Sequence, residues 1–163
     1  MAFPSTVIGQ ELVSGVVGEI SFDAPYTGIA AVINSASADN NVFGRACTYA
    51  SQSVETVQAG GTGVFAGILV NPKTHAIGVI DGTAVDTVPN GYQVETMYEG
   101  EVYVSLIDET PPAIGAPIFF VNATGEIGSG TAVAGQTQIV GGKVFRHIPS
   151  TALPMLATIR IKN

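Results

Sequence analysis

The stretch of this sequence that most resembles a ligand-binding element is GGTGVFAGILV, residues 60–70. Glycine-rich loops bind phosphate when they carry a lysine and a hydroxyl, as in Gly-x-x-x-x-Gly-Lys-Ser/Thr, or when they join a strand to a following helix. Here the first lysine downstream is Lys73, which follows Pro72, and the glycines precede an apolar strand pattern. The stretch therefore predicts a tight turn into a buried strand, and not a phosphate site.

The other residue types that support catalysis are few and scattered. His75 and His147 are the only histidines, and neither has a second His or a Cys at metal-ligand spacing. Cys47 is the single cysteine and lies in RACTYA with no His nearby, which predicts a buried strand residue and not a nucleophile. We therefore predict no catalytic residue, no metal site and no cofactor.

Seven of the 13 acids lie between residues 81 and 109, where no Lys or Arg occurs. They lack the D-x-D-x-D-G spacing of a helix-flanked calcium loop. Glu99 and Glu101 flank Gly100 and would point to one face of a strand. We expect this segment to form a solvated acidic edge, which also discourages aggregation between strands.

The overall charge excludes some partners and suggests others. The chain has 13 acids and 6 bases without a basic stripe, so we expect no nucleic-acid partner. It has no basic residue before its first apolar residues and no bilayer-length apolar run, which predicts a soluble protein made in a cytoplasm. Only 12% of its residues are charged and 46% are apolar, which favours a surface covered by sister subunits or a larger assembly. The alternative is a surface rich in Ser, Thr, Asn and Gly.

The elements that must position these residues are predicted to be strands. Gly and Pro make up 29 of the 163 residues, which leaves room for at most one short helix, with residues 45–59 as its place. EVYVSLI (101–107) and ATIRIK (157–162) alternate in the manner of half-buried strands. Asn90-Gly91 predicts a turn, Gly100 a break between two strands, and Gly141-Gly142 a two-residue hairpin. The prediction is an all-β fold, a single compact β-barrel over residues 16–163 preceded by an extended arm over residues 1–15.

Several strand motifs occur in an order that resembles the structural cement or decoration proteins of tailed bacteriophages. The run VVGEISFDAPYTGIAAVINSASADNNVFGRACTYAS (16–51) is followed by VQAGGTGVFAGILVNPK (57–73). GEVYV (100–104), GAPIF (115–119) and a closing LATIRIKN (156–163) come next. The resemblance covers nearly the whole chain and depends on the order of the motifs, because no single one is diagnostic.

The resemblance implies a non-enzymatic protein that binds the outer surface of an expanded phage capsid and cements it at capsomer junctions. It implies the major capsid protein as partner, a homo-oligomer with a trimer favoured, and a place on the outside of a virion assembled in a bacterial host. An amino-terminal arm that adds a strand to a shell protein is a common binding mode, and here it would include Phe3, Pro4, Val7 and Ile8.

Two other functions stay open at this point. One is a small glycan-binding β-module of a phage tail or fibre, which the absence of Trp disfavours while five Tyr and seven Phe keep it open. The other is a trimeric enzyme similar to deoxyuridine triphosphatase, suggested by the fragment GVID at residues 78–81. That family would have a tyrosine shortly after the aspartate, whereas GTA follows here, and its other motifs are missing.

Overall fold

Strands account for nearly all regular structure in the computed structural model, which describes residues 16–21, 25–50, 55–71, 87–147 and 155–162. The strands are β1 Thr27–Ile33, β2 Ala46–Tyr49, β3 Thr56–Ala59, β4 Phe65–Leu69, β5 Gln93–Leu106, β6 Pro117–Val121, β7 Ile127–Ser129, β8 Gln136–His147 and β9 Met155–Ile161. Among the described residues the one helical element is a 3-10 turn, Ala38–Asn40. The predicted all-β fold is confirmed.

The strand pairings form two closed groups that share β5. In the first group the order is β1-β3-β2-β4-β5, and a further antiparallel pairing of β1 with β5 closes it into a five-stranded barrel. In the second group the order is β5-β7-β6-β8-β9, and pairing of β9 with β5 closes it. We call these the first barrel and the second ring. The prediction of a β-barrel is confirmed, and β5 joins its two parts.

Strand β5 can serve both groups because it bends at a glycine. Up to Glu99 it pairs with β1, and from Gly100 onward it pairs with β9. Gly100 has φ +134°, and a Cβ atom there would lie 2.7 Å from the Cβ of Tyr26, so only glycine fits. The predicted break between two strands is therefore wrong: Gly100 bends one continuous strand of 14 residues.

The core follows the alternation that the sequence predicts. Val102, Val104 and Leu106 are buried on one face of β5, and Ile159 and Ile161 on the facing strand β9 are buried with them. Together with apolar residues of β6 and β8 they form the larger hydrophobic cluster. A second cluster lies within the first barrel. Each fully buried side chain of this size stabilises the fold by roughly 1.5–3 kcal/mol.

The two local predictions for glycine-poor and glycine-rich stretches have different outcomes. The described residues of 45–59 form β2 and β3, in keeping with at most one short helix, because both strands are needed to close the first barrel. The predicted hairpin at Gly141-Gly142 is wrong for reasons of tertiary pairing. Gly141 and Gly142 lie inside the single strand β8 and do not form a hairpin, since β8 must pair with β6 on one side and β9 on the other. Gly141 instead adopts φ +71° where β8 bulges against β6. The predicted arm, residues 1–15, lies outside the described residues.

Candidate functional site

The glycine stretch of residues 60–63 lies where the first barrel meets the second ring. Gly60 and Gly61 have φ of +70° and +88°, and the chain then enters the buried strand β4. The Gly61 amide donates a hydrogen bond to the carbonyl oxygen of Asn122 at 2.7 Å, and the Ala46 amide donates to that of Gly125 at 2.8 Å. The predicted turn is confirmed, and its structural role is to join the turn between β6 and β7 to the first barrel.

This seam requires glycine on both sides. A Cβ atom on Gly60 would lie 2.5 Å from the Asn122 oxygen, and one on Gly125 would lie 2.5 Å from the Ala46 oxygen. Both contacts are with backbone atoms, which cannot move without breaking the hydrogen bonds of the seam. The glycines therefore permit a close backbone approach and leave no space for a phosphate.

A charged pair lies at the edge of the same seam. The Arg45 guanidinium is 3.3 Å from Glu126 Oε1 and donates hydrogen bonds to the Thr124 carbonyl oxygen and to Asn40 Oδ1. Both charged side chains are partly exposed. This geometry fixes the turn between β6 and β7 against the 3-10 turn, and it presents one ion pair to the surface.

Residues 16–21 attach the amino-terminal end of the described chain to β5. The Gly18 amide donates to the Tyr103 carbonyl oxygen at 2.7 Å, and the Tyr103 amide donates to that of Glu19 at 2.9 Å. The Ser21 amide donates to the Glu101 carbonyl oxygen at 2.9 Å. We call residues 16–21 the root. Because the root is held by main-chain bonds to the most central strand, the point at which residues 1–15 join the barrel is fixed.

A cleft of about 630 Å³ lies beside the root. Val16, Val17, Phe43 and Ile107 contribute apolar walls, and the Arg45–Glu126 pair lines it as well. Val16 is 63% exposed and Ile107 is 43% exposed, so this is an open apolar surface with a polar rim. Surfaces of this composition are typical of protein–protein contacts. The predicted contact residues Phe3, Pro4, Val7 and Ile8 lie outside the described residues, so their role stays a prediction.

The predicted solvated acidic edge is wrong at Glu101. The Glu101 side chain is 2% exposed, and its Oε1 accepts a hydrogen bond from Arg160 Nε at 2.6 Å. Its Oε2 has no hydrogen-bond partner among the described residues and lies 4.0 Å from Arg146 Nη2. The cause is strand register, which places Glu101 directly opposite Arg160 of β9. Sequence reasoning missed this pair because the two residues are 59 positions apart.

The remaining candidates for chemistry have structural positions. Cys47 is fully buried in β2, and burial raises the pKa of its thiol to about 12, so it remains protonated at neutral pH. His147 ends β8, whereas His75 and the GVID fragment lie outside the described residues. Within the described ranges, no group of three or more His, Cys, Asp or Glu is placed to bind a metal ion. In the same part of the chain, no helix has the length and apolar character needed to cross a bilayer.

Comparisons with known proteins identify one matching family and a solved structure with a similar fold. Residues 3–162 match the family described as structural cement protein (E217 gp24/Pam3 gp6). The fold is similar to a solved chain from the capsid of Myoviridae phage XM1, with a TM-score of 0.67 and 19% sequence identity over 100% of this chain and 99% of that chain. No curated protein matches it in sequence.

The family match spans nearly the whole chain, which confirms the resemblance inferred from the order of the strand motifs. A structural role agrees with two observations on this chain. The glycine loop joins two parts of the fold, and Cys47 is buried in the core. The family match also excludes an enzyme similar to deoxyuridine triphosphatase, because the family is one of structural proteins. The chain belongs to the phage structural cement protein family, and it is a non-enzymatic, capsid-associated structural protein of the virion.

Proposed function

We propose that this protein binds the outer surface of the expanded shell, at junctions between capsomers, and stabilises the shell there. Its partner is the major capsid protein, and it acts as a homotrimer made in the cytoplasm of the bacterial host. The observation that carries the proposal is the root: residues 16–21 are hydrogen-bonded to β5 beside an open apolar cleft, which fixes the point where residues 1–15 join the described chain.

The stabilisation requires no catalysis, only tighter binding to the expanded shell than to the unexpanded shell. A protein that binds the expanded shell and not the unexpanded one shifts the equilibrium toward the expanded shell by mass action. At a free concentration 100 times the dissociation constant, each occupied site contributes about 2.7 kcal/mol. Many such sites on one shell add their contributions, so moderate affinity per site is sufficient.

The amino-terminal segment is the proposed shell-binding element. Residues 1–15 contain Phe3, Pro4, Val7 and Ile8, which supply apolar side chains without any Lys or Arg. Fifteen residues can span at most about 50 Å when fully extended. Addition of such a segment to a sheet edge would give affinity through main-chain hydrogen bonds and specificity through alternate side chains.

The test is co-sedimentation of the purified protein with expanded and with unexpanded shells of its own phage. We expect saturable binding to the expanded shell alone, with a copy number that fits three-fold or quasi-three-fold positions. A variant with Phe3→Ala, Val7→Ala and Ile8→Ala is expected to bind at least about tenfold more weakly, because it removes three apolar side chains from the contact. The matched control is Ser5→Ala with Thr6→Ala in the same segment.

Three results would overturn parts of the proposal. Equal binding to both shell forms would remove the preference on which cementing depends. Unchanged affinity of the triple variant would remove the amino-terminal segment from the contact. Absence of binding to either shell would direct attention to the glycan-binding alternative, which soluble host glycans test directly.

A further inference from the structure

The second ring has a face whose charge is opposite to that of the rest of the molecule. Lys143, Arg146, Arg160 and Lys162 lie on β8 and β9 or next to them, and we call these four residues the basic face. The other two bases are placed differently: Arg45 pairs with Glu126, and Lys73 lies outside the described residues. Four of the six bases of an acidic protein are therefore gathered on two adjacent strands and on the residue that follows the second of them.

Strand register brings these charges together. Glu101 of β5 is opposite Arg160 of β9, and Arg160 is opposite Lys143 of β8. Side chains at directly opposed positions point to the same face of a sheet, and like charges so placed repel each other. The buried Glu101 carboxylate pairs with Arg160 and with Arg146, and no described ion pair includes Lys143. The fold therefore holds Lys143 beside Arg160, with two like charges on one face of the sheet.

An aromatic ring fixes the two arginines. The Arg160 guanidinium carbon lies 3.6 Å from the centroid of the Phe145 ring, and that of Arg146 lies 4.9 Å from it. Stacking of this kind holds a guanidinium in one orientation while its edge remains able to donate hydrogen bonds. The Arg146 side chain is 53% exposed and that of Arg160 is 35% exposed.

The two lysines supply charge that no described residue neutralises. Lys143 and Lys162 are exposed, and neither forms an ion pair within the described part of the chain. Glu99 and Glu101 line the same hollow of about 390 Å³ as Lys162. Val140 is 81% exposed next to Gly141, whose carbonyl oxygen accepts a hydrogen bond from the Lys162 amide. The face thus combines free positive charge with an exposed apolar side chain.

The rest of the protein carries the opposite net charge to that of the basic face. The basic face together with Glu101 has a formal charge of +3, and the remaining 158 residues hold twelve acids and two bases, a formal charge of −10. We propose that the basic face binds acidic side chains on the surface of a second copy of this chain. This inference deepens the proposed homotrimer by naming one of its two surfaces, and a head-to-tail contact of unlike surfaces can close into a ring.

The test is sedimentation equilibrium of the purified protein alone, at 50 and at 500 mM sodium chloride. The variant Lys143→Gln with Lys162→Gln removes charge from the face. The control, Thr62→Glu with Gln93→Glu, changes two exposed positions elsewhere, and both variants have a formal charge of −9. We expect association of the wild type to weaken about tenfold at the higher salt, where screening shortens the range of electrostatic attraction. We expect the lysine variant at 50 mM to show a similar weakening, and the control to match the wild type.

Each other result overturns the inference. A wild type that is monomeric at both salt concentrations contradicts it, and so does equal association of the lysine variant and the control. Co-sedimentation with expanded shells separates this inference from the proposed function. If the protein is monomeric but the lysine variant alone loses shell binding, the basic face binds the shell protein instead, and the proposed shell binding stands while the self-association fails.

Discussion

Replacement of Gly125 by alanine tests the seam between the first barrel and the second ring. Gly125 has φ +77°, and its added Cβ would lie 2.5 Å from the Ala46 carbonyl oxygen and 2.8 Å from the Gly60 amide nitrogen. A control is available at Gly135, which has φ +82° and no atom within 4 Å of the position of an added Cβ. The two substitutions therefore impose the same backbone strain but differ in steric overlap.

The backbone strain and the steric overlap lower the free energy of unfolding by separate amounts. A left-handed conformation costs a non-glycine residue about 1–2 kcal/mol, which applies to both variants. Overlap with immobile backbone atoms adds about 1–3 kcal/mol, which applies to Gly125→Ala alone. We expect the free energy of unfolding to fall by about 2–5 kcal/mol for Gly125→Ala and by about 1–2 kcal/mol for Gly135→Ala.

The assay is equilibrium unfolding in urea, followed by circular dichroism because the chain has no Trp. The difference in midpoint between the two variants, at unchanged slope, gives the cost of overlap. Equal losses for Gly125→Ala and Gly135→Ala would refute the close backbone approach. A loss at Gly135 larger than that at Gly125 would refute the seam as the more sensitive site.

Two further predictions concern buried ionisable groups. Glu101→Ala is expected to lower the free energy of unfolding by about 2–3 kcal/mol, because it removes a charged hydrogen-bond acceptor from Arg160. Glu99→Ala on the same strand is expected to change it by less than about 0.5 kcal/mol, and equal effects would contradict the buried pair. Burial raises the pKa of Cys47 to about 12 from an ordinary value near 9.0, so the folded state favours the thiol. Its contribution to stability is complete below pH 9 and is lost as the pH rises toward 12. Urea unfolding between pH 8 and pH 11 is expected to show that loss in the wild type and a smaller one in Cys47→Ala; parallel profiles would contradict it.

Local patterns in the sequence predicted the features that depend on neighbouring residues. Alternation predicted the buried faces of β5 and β9, and Asn90-Gly91 forms the expected turn. The order of the strand motifs indicated the cement family, which the family match over residues 3–162 confirms. These signals are local because side-chain direction in a strand repeats every two residues.

Features that depend on distant pairing could not be predicted in this way. Glycines such as Gly100 and Gly141 are typical of positions where a strand ends. Each nevertheless lies within a continuous strand, because strands far away in sequence pair on both sides. Glu101 has the chemistry of a solvated acid, yet register places it against Arg160. The glycines of residues 60–63 predicted a turn, but the seam also needs Gly125, more than 60 positions later.

The most direct measurement of cementing is the temperature at which expanded shells come apart, with and without the purified protein. If the protein cements the shell, this temperature rises with protein concentration and reaches a plateau when the sites are filled, as expected for a ligand that binds only the assembled state. The variant with Phe3, Val7 and Ile8 changed to alanine should need a higher concentration for the same rise. Saturated binding that leaves the disruption temperature unchanged would contradict the cementing role, because the protein would then decorate the shell without stabilising it.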